Sequence, residues 1–313
     1  MVENGDEKAS YNVALGEMTV WIPKQEKGQH FPDLDMLATL LEPKKKAMPG
    51  LIQVLDSSEE SQGKEEEEIC WDFPQTLASE SSCARYGFNN QYSGFFSNFQ
   101  PGQILQMLDV SCPESNSNEE REREKIIIEN ESFNEDHYIC DFVDEGGLIQ
   151  QIINQDFDFS LLSQFTEELN KKIIDLGNRD YIIENNSKSI YLGLIDILLA
   201  FLYDYRVTER EGNSESAWTI CKISSTLSSL QSFSSLKDVL LSFLRRSLCF
   251  PIYRNWLLSV KIIKDLVCVL KEGKKVVLHL LMTLKDIIDR DEYKYCLSRI
   301  YITDYCIWIQ RGR

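Results

Sequence analysis

From about residue 160 onward apolar side chains recur at helical spacing. Leu192, Ile195, Leu199 and Leu202 share one face, and Leu194, Leu198 and Phe201 widen it, which predicts a central helix apolar nearly all round. Leu236, Val239, Leu240, Phe243, Leu244 and Leu248 repeat the period until Pro251 breaks it. Trp256, Val260, Ile263, Val267 and Leu270 repeat it again in the next helix, which closes at Gly273 as its αL cap. Val277, Leu280, Leu281, Leu284 and Ile288 follow. Short Gly- and Pro-marked connections make such helices antiparallel neighbours, so this half reads as a compact all-α domain. An α-solenoid would need self-similarity at a fixed period; a single irregular bundle is the better reading.

The first half is patchier. Met18 to Ile22 alternates and stops at Pro23, as a half-buried strand does, and one strand cannot fold alone. A short helix fits Asp33 to Leu41, ended by Pro43, Lys44-Lys45-Lys46 and Pro49-Gly50. Residues 43–84 read as an acidic disordered linker, because Ser57 to Glu68 is too polar to pack. Tyr92, Phe95, Phe96 and Phe99 recur as on one helical face. A second polar interruption, Cys112 to Glu124, precedes helix-sized segments at Ile126-Ile127-Ile128 and Tyr138 to Ile153.

Charge sharpens that division. The 313 residues carry a net charge of −17. Residues 1–150 hold 30 acids against 11 bases, whereas 151–313 hold 20 against 22. Such a balance argues against direct nucleic-acid binding, which takes an excess of Lys and Arg to neutralise phosphates. The nine cysteines include no Cys-x-x-Cys pair and read as free buried thiols in a reducing compartment. No signal-peptide pattern opens the chain, and the longest apolar run, Ile190 to Tyr203, is too short for a bilayer and contains Asp196. An intracellular, soluble protein is expected, with Asn130 and Asn185 only chance glycosylation matches.

Candidate chemistry is sparse. Histidine occurs at 30, 137 and 279, and only His137, three residues before Cys140, suggests a nucleophile and its base. A hydrolase using that pair is one reading; a packed or surface pair is the favoured one. His279 lies inside an apolar helix and reads as structural. The scattered His and Cys do not supply zinc spacing. Gly273-Lys274-Lys275 lacks the upstream Gly and following Ser or Thr of a phosphate loop, and Gly146-Gly147 is no dinucleotide fingerprint. No enzyme, cofactor or metal is therefore expected. The acidic stretches either complement a basic partner or keep the chain soluble. Arg245, Arg246 and Arg254 with Tyr253 bracket the Pro251 break, as binding anchors or as capping and snorkelling side chains. Ser57-Ser58-Glu59-Glu60 suits an acid-directed kinase.

Longer words are more specific. Tyr191 to Tyr205 runs into Arg206-Val207-Thr208-Glu209, then Asn213 and Glu215-Ser216-Ala217-Trp218. Ser242 to Arg254, Tyr301 to Gln310, Ile22-Pro23-Lys24, Gly28-Gln29-His30-Phe31, Asp35-Met36-Leu37 and Tyr86-Gly87-Phe88 follow the same family's order. Together they resemble the Shq1 (Shq-one) family of box H/ACA ribonucleoprotein assembly factors. The resemblance implies an irregular helical Shq-specific domain at 85–313, an acidic linker at 43–84, and at 1–42 a short remnant of a β-sandwich CS domain. It also implies a non-enzymatic chaperone that holds the pseudouridine synthase dyskerin on its RNA-binding surface, as an RNA placeholder, until guide RNA is loaded. AAA+ ATPases would release it, in nucleoplasm and cytosol. Candidate partner contacts are Asp204, Glu209, Glu211 and Glu215, with Arg245, Arg246, Tyr253, Arg254, Tyr301, Asp304 and Trp308 as possible anchors. Trp218 reads as core. A helical scaffold that has lost its client is the rival reading. Arg210 stands where the family commonly has Gly, which either alters the turn or shows that it tolerates negative φ. Ser225 and Ser229 stand where it tends to have Pro and Trp.

Overall fold

A computed structural model of the chain describes residues 8–12, 17–21, 84–143, 147–181 and 187–311. The short helix expected at 33–41, residues 43–83 of the expected linker, and Ser57-Ser58 lie outside the described residues. The chain forms two units, Met1–Trp71 and Asp72–Arg313. In the first, β1 (Lys8–Asn12) and β2 (Glu17–Trp21) pair antiparallel, Lys8 opposite Trp21 and Asn12 opposite Glu17. The expected half-buried strand is corrected here: Val20 and Trp21 are exposed. Among the described residues of this unit, nothing covers either face of the pair.

The second unit is helical. Its helices are α1 (Pro101–Met107), α2 (Asn118–Ser132), α3 (Glu135–Val143), α4 (Leu148–Asn154), α5 (Glu167–Asp175) and α6 (Ser187–Val207). After them come α7 (Ser216–Ile223), α8 (Leu236–Cys249), α9 (Trp256–Glu272), α10 (Lys274–Ile288) and α11 (Thr303–Arg311). A single turn, Ser225–Ser228, follows α7, and a π turn, Ser298–Ile302, leads into α11. No described helix is long and apolar enough to cross a membrane.

The all-α expectation holds, and α6 is the axis: Ile197 to Tyr203 are each at most 1% exposed. Burying one such large apolar side chain contributes about 1.5–3 kcal/mol. Helices α7, α8 and α9 pack around it. Gly193 admits the C-terminal helix, since a Cβ there would stand 2.6 Å from the Tyr305 hydroxyl. That hydroxyl instead donates to the Ile190 carbonyl at 2.9 Å. Helices α9 and α10 are joined by Gly273 alone, at φ 93° and ψ −174°. This is a glycine-only region rather than the αL cap expected, and it lets one residue end one helix and begin the next.

Two local expectations are overturned, and α9 turns most of its periodic stripe outward: Trp256, Val267 and Leu270 are exposed and Val260 and Ile263 half-buried, whereas Leu258, Ile262, Asp265, Leu266 and Val269 are buried. The helix carries two apolar stripes, and packing against α6 selects the second. Tyr92, Phe95, Phe96 and Phe99 form no α-helix; a bridge pairs Tyr92 with Tyr86, and a 3₁₀ turn places Phe95, Phe96 and Phe99 in an aromatic cluster. The polar interruption ending at Glu124 already contains the start of α2, capped reciprocally by Ser117 and Glu120. Its inner face is charged, with Arg121, Lys125 and Glu129 buried at i, i+4 and i+8, while Ile126 and Ile127 face out.

Candidate functional site

The Tyr205 to Trp218 word is the C-terminal turn of α6 and its continuation into α7. Thr208 Oγ1 donates to the Asp204 carbonyl at 2.8 Å and accepts from Gly212 N at 3.2 Å. Ser216 Oγ accepts from Asn213 N at 2.8 Å, and Asn213 Oδ1 accepts from Glu215 N at 2.9 Å. Glu209 and Arg210 adopt positive φ, 53° and 79°. The turn therefore requires the left-handed region, and Arg210 occupies it at a cost of about 1 kcal/mol. Its guanidinium is 4.5 Å from the Phe157 ring centroid, a cation–π contact that opposes that cost.

Arg206 anchors the turn from inside. Its Nε donates to Asp265 of α9 at 2.6 Å, and its Nη1 donates to the Ile152 and Gln155 carbonyls at 2.7 Å each. Phe157 lies 4.5 Å from this second guanidinium as well. The turn thus presents Glu209, Glu211 and Glu215 to solvent from a held backbone. Beside them, a cleft of about 460 Å³ opens between Glu211-Gly212-Asn213 and Ile287, Arg290 and Asp291. An inner recess of about 130 Å³ reaches down to Asp204.

The eleven candidate residues fare differently. Glu209, Glu211 and Glu215 are exposed as expected of contacts. Asp204 is not a surface contact: it is 3% exposed, burial pushes its carboxyl up to about 6, and its Oδ2 accepts no hydrogen bond. Arg246 is likewise internal, because it bridges Asp109 and Glu129 and donates to the Lys222 carbonyl at 2.6 Å. Arg245 is partly exposed but donates to Glu129 at 2.7 Å. Tyr253 accepts the Tyr203 hydroxyl on its carbonyl at 2.7 Å. Arg254 turns back to the Pro251 carbonyl at 3.2 Å, and its N–H reaches Asp141 at 2.6 Å.

Of the C-terminal candidates, Tyr301 and Asp304 are internal. Tyr301 is buried, with its hydroxyl pushed up to about 12 by burial. Asp304, 1% exposed, accepts from Tyr92, Tyr181 and Arg179 at 2.6–2.7 Å. Trp308 is half-buried and packs on Tyr191 and Phe88 at 5.0 and 5.9 Å. This segment closes the fold by holding the Tyr86 to Tyr92 strip. No hydrogen bond or ion pair joins the acidic turn to Arg245, Arg246 or Arg254 among the described residues.

Other side chains are more available than the sequence suggests. Trp218, expected in the core, is 38% exposed. The outer stripe of α9 and the α3 side chains Ile139, Phe142 and Val143 add exposed apolar surface. His137 contacts the Ile252 carbonyl at 2.9 Å and Asp141 at 3.5 Å, and makes no hydrogen bond to Cys140. His279 meets the Leu162 carbonyl at 3.0 Å. Of the seven described cysteines, all free, Cys112, Cys140 and Cys268 are exposed, which corrects the expectation of burial for them. No group of three or more His, Cys, Asp or Glu among the described residues is arranged to hold a metal ion.

Ser225 and Ser229 are each 0% exposed. Ser225 is the first residue of its helical turn, where Pro is also favoured, and its hydroxyl contacts Ser242. A Trp at 229 would need the surrounding core to open.

The second unit is a helical body whose surface carries an acidic turn and exposed apolar side chains. Residues 154–313 match the family described as SHQ1 protein, Shq1 domain, and residues 1–41 match an SHQ1-like CS domain. The chain belongs to the Shq1 family. It is 37% identical over 333 residues to a Protein SHQ1 homolog of Danio rerio, covering 99% of this chain and 56% of the relative. It is 38% identical over 335 residues to that of Xenopus tropicalis, covering 99% and 55%. With Protein shq1 of Schizosaccharomyces pombe it shares 32% identity over 342 residues, covering 96% and 75%. The chain thus spans little more than half the length of the two vertebrate relatives.

Proposed function

We propose that this chain is a box H/ACA assembly chaperone that occupies the RNA-binding surface of a dyskerin-type pseudouridine synthase before guide RNA arrives. One observation carries the reading: Glu209, Glu211 and Glu215 project from a turn whose backbone is fixed by Thr208, Asn213 and the Arg206 anchor. Carboxylates carried on a held backbone complement a basic RNA-binding face with little backbone ordering cost on binding. The chain's net charge of −17 favours encounter with such a face. The exposed apolar stripe of α9 supplies surface for close packing. Removal by AAA+ ATPases, and residence in nucleoplasm and cytosol, complete the proposal.

The test is the triple variant Glu209→Lys, Glu211→Lys, Glu215→Lys, measured against purified synthase. Affinity is expected to fall at least about tenfold, equivalent to about 1.4 kcal/mol, with weaker salt dependence. Unchanged affinity and salt dependence contradict the placement of the acidic contacts. Absence of binding by the unaltered chain at low salt favours the rival, a helical scaffold without this client.

A further inference from the structure

The inner face of α2 holds a charge that no ion pair matches among the described residues. Arg121 is 2% exposed. Its Nη2 donates to the Arg85 carbonyl at 3.3 Å, while Nε and Nη1 have no hydrogen-bond partner among the described residues. Glu114 acts on it electrostatically, but that carboxylate already accepts from the Tyr86 hydroxyl and from the Gly94 and Phe96 N–H groups. Burial pulls the guanidinium below its usual range, yet Arg stays protonated. An unpaired buried guanidinium is costly, and a bound anion would relieve it.

Arg121 lines a cleft of about 610 Å³ that opens to solvent. Arg85 and Lys188 stand at its exposed rim, and neither makes an ion pair among the described residues. Neutral donors complete the wall: the Ser189 and Ser232 hydroxyls share a 2.8 Å hydrogen bond, and Asn118 is fixed by two hydrogen bonds to the Ser232 backbone. The lining includes three cations and no carboxylate, although the chain as a whole is strongly acidic.

The geometry points to a phosphate-binding cleft that takes a phosphorylated side chain of a polypeptide. A phosphate monoester offers about −1.5 to −2 charge and three acceptor oxygens, which suits three cations and adjacent hydroxyl and amide donors better than one carboxylate does. The volume exceeds that of phosphate alone and leaves room for the residue bearing it. A nucleic acid fits poorly, because the chain's net charge repels a polyanion and the cations form one recess rather than a track. This site is separate from the acidic turn, takes ligands of the opposite sign, and does not depend on the proposed function.

Isothermal titration of the full chain with the capped pentapeptide Gly-Gly-phosphoserine-Gly-Gly tests it. Saturable binding below about 1 mM is expected, at least tenfold tighter than the Glu and Ser counterparts, inorganic phosphate, or a short single-stranded RNA. The double variant Arg85→Ser, Lys188→Ser changes only the exposed rim; it is expected to keep the Tm and lose binding about tenfold or more. Arg121→Gln is expected to lose binding with its helical circular dichroism intact. No saturation by 10 mM, or equal binding by the double variant, overturns the site. Equal binding of the Glu peptide overturns phosphate selectivity, and tighter binding of RNA overturns the ligand class. Equal binding of inorganic phosphate overturns the polypeptide.

Discussion

Replacing Asp204 by Asn removes a buried, incompletely solvated charge while keeping the side chain's shape. Its carboxyl is raised by burial from 3.8 to about 6, against only partial help from Ser216. The folded state therefore holds its proton more tightly than the unfolded state, so stability falls as pH rises from the unfolded value through the folded one. At about 1.36 kcal/mol per pKa unit, the charge costs about 3 kcal/mol at pH 7.5 and about 1.6 kcal/mol at pH 5. Asp204→Asn should therefore raise stability at pH 7.5, with a gain about 1.4 kcal/mol larger than at pH 5. Urea unfolding followed by helical circular dichroism at both pH values measures this. The groups around the recess, Arg210, Glu211, Asp286 and Arg290, are common to both proteins and cancel in the comparison. An Asn variant that is less stable at pH 7.5, or that parallels the parent across pH, would refute the assignment of an unpaired buried carboxylate.

Two further substitutions probe the architecture. Glu129→Ala should cost about 3–5 kcal/mol, because it strips one carboxylate from the buried Arg246 and the sole carboxylate from Arg245; urea unfolding showing a loss under 1 kcal/mol would contradict that network. Arg210→Ala keeps the positive φ but loses the stack on Phe157, whereas Arg210→Gly relieves the backbone. Gly should be the more stable variant by about 1 kcal/mol in the same assay, and an Ala variant of equal or greater stability would show that the turn is unstrained.

The sequence displays α6 and α10 clearly, because their apolar period leaves one packing solution, whereas α8 was legible as a helix but buries Val239, Ser242, Phe243, Arg246 and Ser247 and leaves Leu236 exposed. It also marks Gly273 as a break. Helix α9 was legible as a helix but not in its rotation: two apolar stripes run along it, and only contact with α6 and the Arg206–Asp265 pair selects the inner one. Helix α2 was hidden for the opposite reason. Its inner face is Arg121, Lys125 and Glu129, which in isolation resembles a solvated face. The partners of Lys125 and Glu129, such as Gln231 at 2.6 Å from Lys125, lie more than one hundred residues away. The acidic turn was legible as surface, since Glu209, Glu211 and Glu215 are exposed. Asp204, Arg246, Tyr301 and Asp304 share the same words yet are internal, because family words mix fold-forming and surface positions. The cationic cleft joins Arg85, Arg121, Lys188 and Ser232, which no local spacing brings together.

The most direct test of the proposed placeholder is order of addition. Purified synthase is presented to this chain either free or already loaded with H/ACA guide RNA, and complexes are separated by size with both RNA and protein quantified. Mutual exclusion is predicted: the chain binds free enzyme, excess guide RNA reduces that binding in proportion to its occupancy, and preloaded enzyme retains almost none. A stable ternary complex, with RNA and chain on one enzyme at undiminished affinity, would contradict the account.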